Sequence, residues 1–164
     1  MLLTITNRRR NPRIDLPALR RLCVCLYALC SGVAVRRRRA KHQQTDIKSL
    51  ESVELILCGD AEITCVHAAV FNDPTTTDVI TIPYAATPVS GATAEIFVNT
   101  RLACDSAPEH ETTPARELAL YIAHGFDHLA GYSDLTPRGR DTMRKRELSW
   151  LNICEKQGLL DIIR

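Results

Sequence analysis

The chain has 164 residues, the length of one domain built around one hydrophobic core. Its apolar content of 45% and charged content of 24% are ordinary for a soluble globular protein. The aromatic content of 5% argues against a surface built on rows of stacking aromatic side chains.

The net charge of +2 is distributed unevenly along the chain. Residues 1–50 carry twelve Lys and Arg but two acids, whereas residues 51–164 carry nine Lys and Arg and seventeen acids. A basic front on an acidic body predicts a surface that faces a polyanion, with nucleic acid as the leading candidate. On charge alone, the runs Arg8–Arg10 and Arg36–Arg39 are equally consistent with solvated segments that have no partner.

Seven cysteines give an odd count without a Cys-x-x-Cys pair, so neither a disulfide framework nor a zinc ribbon is indicated. Cys23, Cys30, Cys58 and Cys65 lie within apolar runs, where a free thiol behaves as a small hydrophobic group. Free thiols are typical of a reducing compartment, and we predict a cytoplasmic location.

The longest apolar run, residues 22–35, is too short to span a bilayer. Leu19, Leu22, Leu26 and Cys30 recur at helical spacing, which favours a core-facing helix over a signal peptide. We therefore predict no membrane segment.

Alternating and continuous apolar patterns predict the elements in chain order. We expect strands at 4–7, 52–58, 78–83 and 94–99, and helices at about 17–31, 61–71, 114–130 and 137–157. Asp15 and Asp60 are expected to cap the first two helices, Thr-Pro pairs to begin the last two, and Gly158 to end the final one. In the last helix, an apolar stripe is expected at Met143, Leu148, Leu151 and Cys154. Residues of about 36–48 are polar and are predicted to form a basic surface loop. This order predicts a single α+β domain over residues 1–164, with helices packed on a four-stranded mixed sheet.

The chemistry is concentrated between residues 124 and 134. His124 and His128 are four residues apart, so on a helix their side chains share one face and can chelate one Zn2+ ion. Gly131 can end the helix in a left-handed conformation, which lets the chain turn back and bring Asp134 to the same point. Asp127 is expected either to point away from the ligand face or to accept a hydrogen bond beside the ligands, and of these roles a solvated helix residue is favoured.

Two imidazoles and one carboxylate fill three positions of a tetrahedron and leave the fourth open for water, as in catalytic zinc sites. Zinc peptidases of the His-Glu-x-x-His type carry a general base directly after the first histidine. That position is Gly125 here, so peptide hydrolysis is the weaker hypothesis.

The stretch from His124 to Asp134 resembles the His-Gly-x-x-His-x-x-Gly-Tyr-Asp-His signature of the YbeY family, except at its last two places. Residues 77–83 resemble that family's Thr-Asp-Val-Leu-Ser-Phe-Pro strand, and residues 94–96 stand where Gly-Asp-Ile is usual. Met143 and Glu147 match a Met-x-x-x-Glu pattern in the family's last helix.

This resemblance implies a metal-dependent, single-strand-preferring endoribonuclease of ribosomal RNA maturation, including 16S rRNA 3′-end processing and quality control of the small ribosomal subunit. It implies catalysis at one metal ion held by His124, His128 and Asp134. On this hypothesis the RNA backbone would be bound by six basic side chains, Arg8, Arg9, Arg10, Arg36, Arg37 and Arg38. Asp78 and Glu95 would either orient water and ligands or serve as buried structural carboxylates.

Two departures from the family pattern bear on activity. Asp134 replaces a usual third histidine, and its charge reduces the Lewis acidity of the ion and favours harder metals. Phe71 replaces an arginine suited to a phosphate, and His67 stands where asparagine is usual. Arg101 and Arg116 are candidates to replace that arginine.

Three alternatives to an active ribonuclease stay open on the sequence. The protein could hydrolyse peptides or small molecules, or it could bind RNA at the ribosome after losing the reaction. The metal could also be purely structural and tie the last two helices together.

Overall fold

The computed structural model describes residues 1–32 and 47–164. Its strands are β1 (Leu2–Asn7), β2 (Leu50–Cys58), β3 (Val79–Tyr84) and β4 (Ala92–Asn99). Its helices are α1 (Leu16–Gly32), α2 (Asp60–Phe71), α3 (Thr100–Ser106), α4 (Pro114–Leu129) and α5 (Pro137–Lys156), with a short 3-10 helix at Ile47–Ser49. The predicted α+β class is confirmed, and each predicted strand and helix forms within a few residues of its expected bounds.

The four strands form one mixed sheet in the order β1-β2-β4-β3. The pairs β1·β2 and β2·β4 are parallel, whereas β3 runs antiparallel to β4. The antiparallel strand therefore lies at one edge of the sheet, with the outer side of its backbone facing away from the other strands.

Alternation along the strands divides the core into two layers. Leu55, Ile96 and Val98 belong to the large cluster that α1 and α4 complete on one face. Ile56 and Phe97, one residue out of phase, join the smaller cluster formed with α2 on the opposite face. The sheet thus separates α2 from α4, and side chains of both helices come together beside edge strand β3.

Helix α1 follows the predicted pattern. Leu19, Leu22, Leu26 and Cys30 are fully buried, and the carboxylate of Asp15 accepts a hydrogen bond from the Ala18 N–H at 3.0 Å. In the described part of the chain, no helix combines the length and hydrophobicity needed to cross a bilayer. Most of the predicted basic loop, residues 36–46, lies outside the described residues.

Four local expectations were wrong. Asp60 is the first residue of α2 rather than its cap, which is Gly59, and the Asp60 carboxylate accepts from Asn99 Nδ2 at 2.8 Å. Helix α3 was not predicted, and its cap is the Asn99 side chain. Cys65 is exposed, and Leu148, expected in the apolar stripe of α5, is 37% exposed. The residues that α5 buries are Met143, Glu147, Trp150, Leu151 and Cys154.

Candidate metal centre

Helix α4 and the turn after it bring the three predicted ligands together. Thr113 caps α4 and accepts from the Arg116 N–H, and Pro114 occupies the first turn, as the Thr-Pro pair predicted. His124 and His128 lie on one face of the last two turns. Gly131 adopts φ 88°, in the left-handed region that favours glycine, and the chain turns back toward the histidines.

The distances between the ligand atoms fit one metal ion. The two Nε2 atoms of His124 and His128 are 3.0 Å apart, and Asp134 Oδ2 lies 3.6 Å and 4.0 Å from them respectively. Tetrahedral zinc with bonds of about 2.0–2.1 Å sets its ligand atoms roughly 3.3–3.4 Å apart. The three observed separations lie on both sides of that value, so small side-chain rotations suffice to close the site around an ion.

The outer nitrogens of both imidazoles have hydrogen-bond partners that determine which nitrogen faces the centre. His124 Nδ1 lies 2.6 Å from the buried carboxylate of Glu147, and His128 Nδ1 lies 3.2 Å from the backbone carbonyl of Tyr132. Carbonyl and carboxylate oxygens accept, so each Nδ1–H donates and each Nε2 keeps its lone pair. The two Nε2 atoms, 3.0 Å apart, therefore face one another across the centre, where a proton or a metal ion can bind both. An Nδ1–H bonded to a carboxylate or carbonyl oxygen, with Nε2 toward the centre, is the arrangement of metal-binding histidines.

The electrostatic surroundings of the two histidines differ. Burial lowers the pKa of His124, but the hydrogen bond and negative charge of Glu147, together with the charges of Asp78 and Asp134, raise it overall. The pKa of His128 is lowered, first by burial and then by the neighbouring His124. The carboxylate of Glu147 therefore acts on one of the two ligands, as in carboxylate–histidine–metal arrangements.

The ligand-bearing turn is clamped by a buried ion pair. Arg146 of α5 donates two hydrogen bonds to the Asp127 carboxylate, at 2.8 Å and 2.7 Å. Its guanidinium also lies 3.6 Å from the centroid of the Tyr132 ring, a cation–π contact. Asp127 is fully buried, so the expectation of a solvated residue was wrong, and burial raises its pKa to about 6 although Arg146 lowers it.

Gly125 allows α4 to pack closely against the sheet. A Cβ at this position would lie 2.7 Å from Ile96 Cγ2 and 3.0 Å from Val79 Cγ2. The Gly125 carbonyl also accepts from the Thr81 hydroxyl at 3.1 Å. The position that holds the general base in His-Glu-x-x-His peptidases is therefore in contact with β3 and β4.

Two cavities meet at the ligands. The first, of about 400 Å³, contains His124 and is lined by α4 and α5 side chains that include Arg140 and Arg144. The second, of about 440 Å³, contains His128 and extends over β3 to the end of α2. Asp134 lines both, so the three ligands lie where the cavities join.

The predicted accessory carboxylates have different positions. Asp78 lines the His124 cavity, and its Oδ1 accepts from the Val79 N–H at 2.8 Å. Glu95 lines neither cavity and accepts from the Tyr84 hydroxyl at 2.8 Å. Both are half-buried rather than buried. The structure therefore brings Asp78 to the ligands but not Glu95.

The basic side chains predicted to bind RNA lie away from the ligands or outside the described residues. Arg8 forms an ion pair with Glu62, and Arg8, Arg9 and Arg10 are exposed outside both cavities. Arg36, Arg37 and Arg38 lie outside the described residues.

The two arginines proposed to replace the one missing at position 71 do not reach the site. Arg101 pairs with Asp105, and Arg116 pairs with Glu155, outside both cavities beside the ligands. The arginines that line the His124 cavity come from α5. Arg140 donates to the Asp134 carbonyl at 2.9 Å, whereas exposed Arg144 has no ion-pair partner among the described residues.

Phe71 and His67, which stand where the family usually has arginine and asparagine, do lie beside the centre. Both line the His128 cavity, and their rings are in edge contact, with centroids 5.4 Å apart. Of the other histidines, His110 bonds to Glu117, and His42 lies outside the described residues. Within residues 1–32 and 47–164, the one group of potential metal ligands found is the predicted trio.

Reasoning from chemistry alone did not identify the role of Glu147, although a signal was present. Glu147 stands between Met143 and Leu151 on the buried face of α5, where a carboxylate needs a partner. Its partner is His124, 23 residues away in sequence.

The chain is similar to known endoribonucleases of one family. Residues 33–155 match the family model described as Endoribonuclease YbeY. The Endoribonuclease YbeY of Protochlamydia amoebophila (strain UWE25) is 34% identical over 121 residues, covering 73% of this chain and 78% of the relative. That of Chlamydia muridarum (strain MoPn / Nigg) is 27% identical over 161 residues, covering 95% and 90%.

A solved structure supports the same fold. The solution structure of TM1509 from Thermotoga maritima matches with a TM-score of 0.57 at 21% identity, covering 95% of this chain and 91% of that one. The family model spans most of the chain and includes all three ligands. The chain therefore belongs to the Endoribonuclease YbeY family.

Proposed function

We propose that this protein is a metal-dependent endoribonuclease that cleaves single-stranded RNA, with one Zn2+ per chain held by His124, His128 and Asp134. The observation that carries the proposal is the convergence of two Nε2 lone pairs and one carboxylate at the junction of two cavities. Family membership supports RNA as the substrate.

A bound metal would polarise a phosphoryl oxygen and activate water, as zinc does in hydrolases. The chain's own residues would orient the reactants. Glu147 and the Tyr132 carbonyl hold the imidazoles with Nε2 toward the centre. Asp78 lies in the His124 cavity, where its carboxylate can orient water. Arg144, without an ion-pair partner among described residues, can bind a phosphoryl oxygen.

We further propose ribosomal RNA as the target, with a role in 16S rRNA 3′-end maturation and in quality control of the small subunit. Arg8–Arg10 and Arg36–Arg38 would bind the RNA backbone, which predicts an affinity that falls steeply with salt. The cytoplasmic location and a single domain over residues 1–164 stay predictions. The free thiols of all seven cysteines support a reducing compartment.

Metal content and RNA products test the proposal directly. The purified protein should contain one metal ion per chain, and mass spectrometry should find defined cleavage products that a chelator abolishes. His124→Ala should lose both metal and cleavage. His110→Ala, which removes a partly exposed histidine outside the ligand group, should keep both. Cleavage that persists in His124→Ala, or protein without stoichiometric metal, would contradict the assignment.

The alternatives have separate tests. Cleavage of peptides but not RNA in a chelator-controlled substrate panel would indicate a peptidase. If the wild type binds RNA without cutting it and Phe71→Arg gains cleavage, the reaction has been lost at position 71.

The proposed phosphate contact of Arg144 has its own test. Arg144→Gln should weaken RNA binding and reduce the slope of log affinity against log salt concentration by about one. Arg101→Gln, whose side chain lies outside both cavities, should change neither.

A further inference from the structure

The cavity beside His128 is bounded by three separate elements. Its volume is about 440 Å³, and it is lined by the end of α2, edge strand β3 and the turn that carries Asp134. The lining residues include His67, Phe71, Thr81, Pro83 and Leu135. This volume lies in the usual range for a small-molecule or single-group binding site. The cavity opens directly onto two metal ligands, His128 and Asp134.

Two large apolar side chains of this cavity are exposed. Phe71, the last residue of α2, is 58% exposed, and Leu135, in the turn before α5, is 87% exposed. Isolated exposed apolar residues need no explanation. In contrast, two exposed apolar side chains from distant parts of the sequence that line one cavity beside a metal centre indicate a ligand with an apolar face.

The Phe71 ring is held in place by its neighbour. His67, one helical turn earlier, contacts it edge-on, with an angle of 62° between the rings. His67 is itself held by a hydrogen bond from Nδ1 to the Thr75 carbonyl at 2.9 Å. A supported ring loses little conformational freedom when a planar group stacks on it, which favours binding.

The two cavities offer different surfaces on the two sides of the ligands. A phosphodiester at the metal centre would have a neighbouring nucleotide on the His128 side, where Phe71 and Leu135 lie, and backbone on the His124 side, where Arg144 lies. Unpaired bases in single-stranded RNA are bound in this way, by stacking on aromatic and apolar side chains beside charged contacts to the backbone.

Edge strand β3 is less suited to a peptide. A peptide bound as an added strand requires a continuous row of backbone donors and acceptors. Pro83 lies within β3 and lines the cavity, and it has no N–H to donate.

We propose that Phe71, supported by His67 and lining the same cavity as Leu135, is a stacking site for one unpaired nucleobase of the RNA, adjacent to the phosphate at the metal centre. This inference rests on the proposed function, since it takes RNA as the ligand. It assigns a binding role to the residue that replaces the family's arginine. Phe71 would stack on a base, whereas an arginine at this position would pair with a phosphate.

Binding, rather than cleavage, tests the site. Chelator-treated protein is titrated against a fluorescent single-stranded RNA of about ten nucleotides, and against the same RNA with one abasic residue placed at each position in turn. Phe71→Leu removes the aromatic face but keeps an apolar side chain. Tyr84→Leu is the matched control, because Tyr84 is an exposed aromatic residue at the end of β3 that does not line the cavity.

Phe71→Leu should weaken binding of the intact RNA by about 5- to 140-fold, the range that corresponds to one aromatic–base stack. At one position, the abasic substitution should weaken wild-type binding by a similar factor and leave Phe71→Leu unchanged. Phe71→Trp should retain the affinity, and Tyr84→Leu should remain within twofold of wild type.

A Phe71→Leu affinity within twofold of wild type would overturn the proposal. The proposal would also be overturned if Phe71→Leu reduced affinity by the same factor for every abasic RNA as for the intact RNA, since the Phe71 ring would then not contact a base. RNA cleavage after the metal is added back, measured in parallel, distinguishes failure of the base-stacking site from failure of the proposed catalysis. If RNA binds, with the effects of Phe71→Leu and of one abasic position coupled, but is not cut, the proposed catalysis is contradicted and the base-stacking site is supported. Absence of RNA binding contradicts both.

Discussion

Replacing Arg146 with methionine tests whether the buried ion pair holds the ligand-bearing turn in place. Methionine keeps much of the apolar stem but removes the guanidinium, which leaves the Asp127 carboxylate buried without its cation. Breaking a buried pair in this way costs about 3–5 kcal/mol, and loss of a cation–π contact such as that with Tyr132 adds about 0.5–2 kcal/mol. We therefore expect Arg146→Met to lower the free energy of unfolding by at least about 3 kcal/mol, a large share of the roughly 5–15 kcal/mol typical of a domain.

Equilibrium unfolding in urea measures this change. With a slope of about 2 kcal/mol per molar, a loss of 3–5 kcal/mol shifts the midpoint by roughly 1.5–2.5 M. Lys145→Met, at the neighbouring exposed position of α5, is the control and should shift the midpoint little. The double variant Asp127→Leu with Arg146→Met removes both charges and should be more stable than Arg146→Met alone, because no unpaired charge stays buried.

Two results would refute this reasoning. One is an Arg146→Met variant within about 1 kcal/mol of wild type, which would mean that the buried carboxylate does not depend on the guanidinium. The other is a double variant as unstable as the sum of its single changes, which would mean that the two side chains act independently.

Three further predictions concern the same centre. Glu147→Gln should weaken metal affinity by about 10- to 100-fold in competition with a chromogenic chelator, whereas Glu155→Gln should not. In urea titrations, Gly125→Ala should lower the free energy of unfolding by about 1–3 kcal/mol, because its Cβ would lie 2.7 Å from Ile96 Cγ2. The control Gly32→Ala should not lower it, because nothing lies within 4 Å of a Cβ at that position. Metal at about 100 times its Kd should stabilise the fold by about 2.7 kcal/mol in the same titration, an effect that His128→Ala should abolish.

Local sequence determined the parts of the protein that depend on neighbouring residues. The spacing of His124 and His128, the glycine at 131 and the carboxylate at 134 are within one helix end and one turn, so their convergence follows from backbone geometry. Strands were predicted for the same reason, because alternation and apolar runs are local patterns. The position of Asp60 was missed because its carboxylate bonds to Asn99, 39 residues away, and such a contact is not a local pattern. The cap of α3 is local, since the Asn99 side chain accepts from the Leu102 N–H three residues later, so the sequence does carry a signal for that helix.

Tertiary structure alone decided what surrounds the ligands. Glu147 reaches His124, and Arg146 reaches Asp127, through the packing of α5 on α4, and no local pattern specifies that pairing. The position of Phe71 beside His128 likewise results from the order of the strands, since α2 and α4 lie on opposite faces of the sheet and meet at β3. The sequence by itself therefore determined which residues can bind a metal. Long-range packing decided how the ligands are oriented and which side chains line the cavities beside them, because those contacts join segments that are distant along the chain.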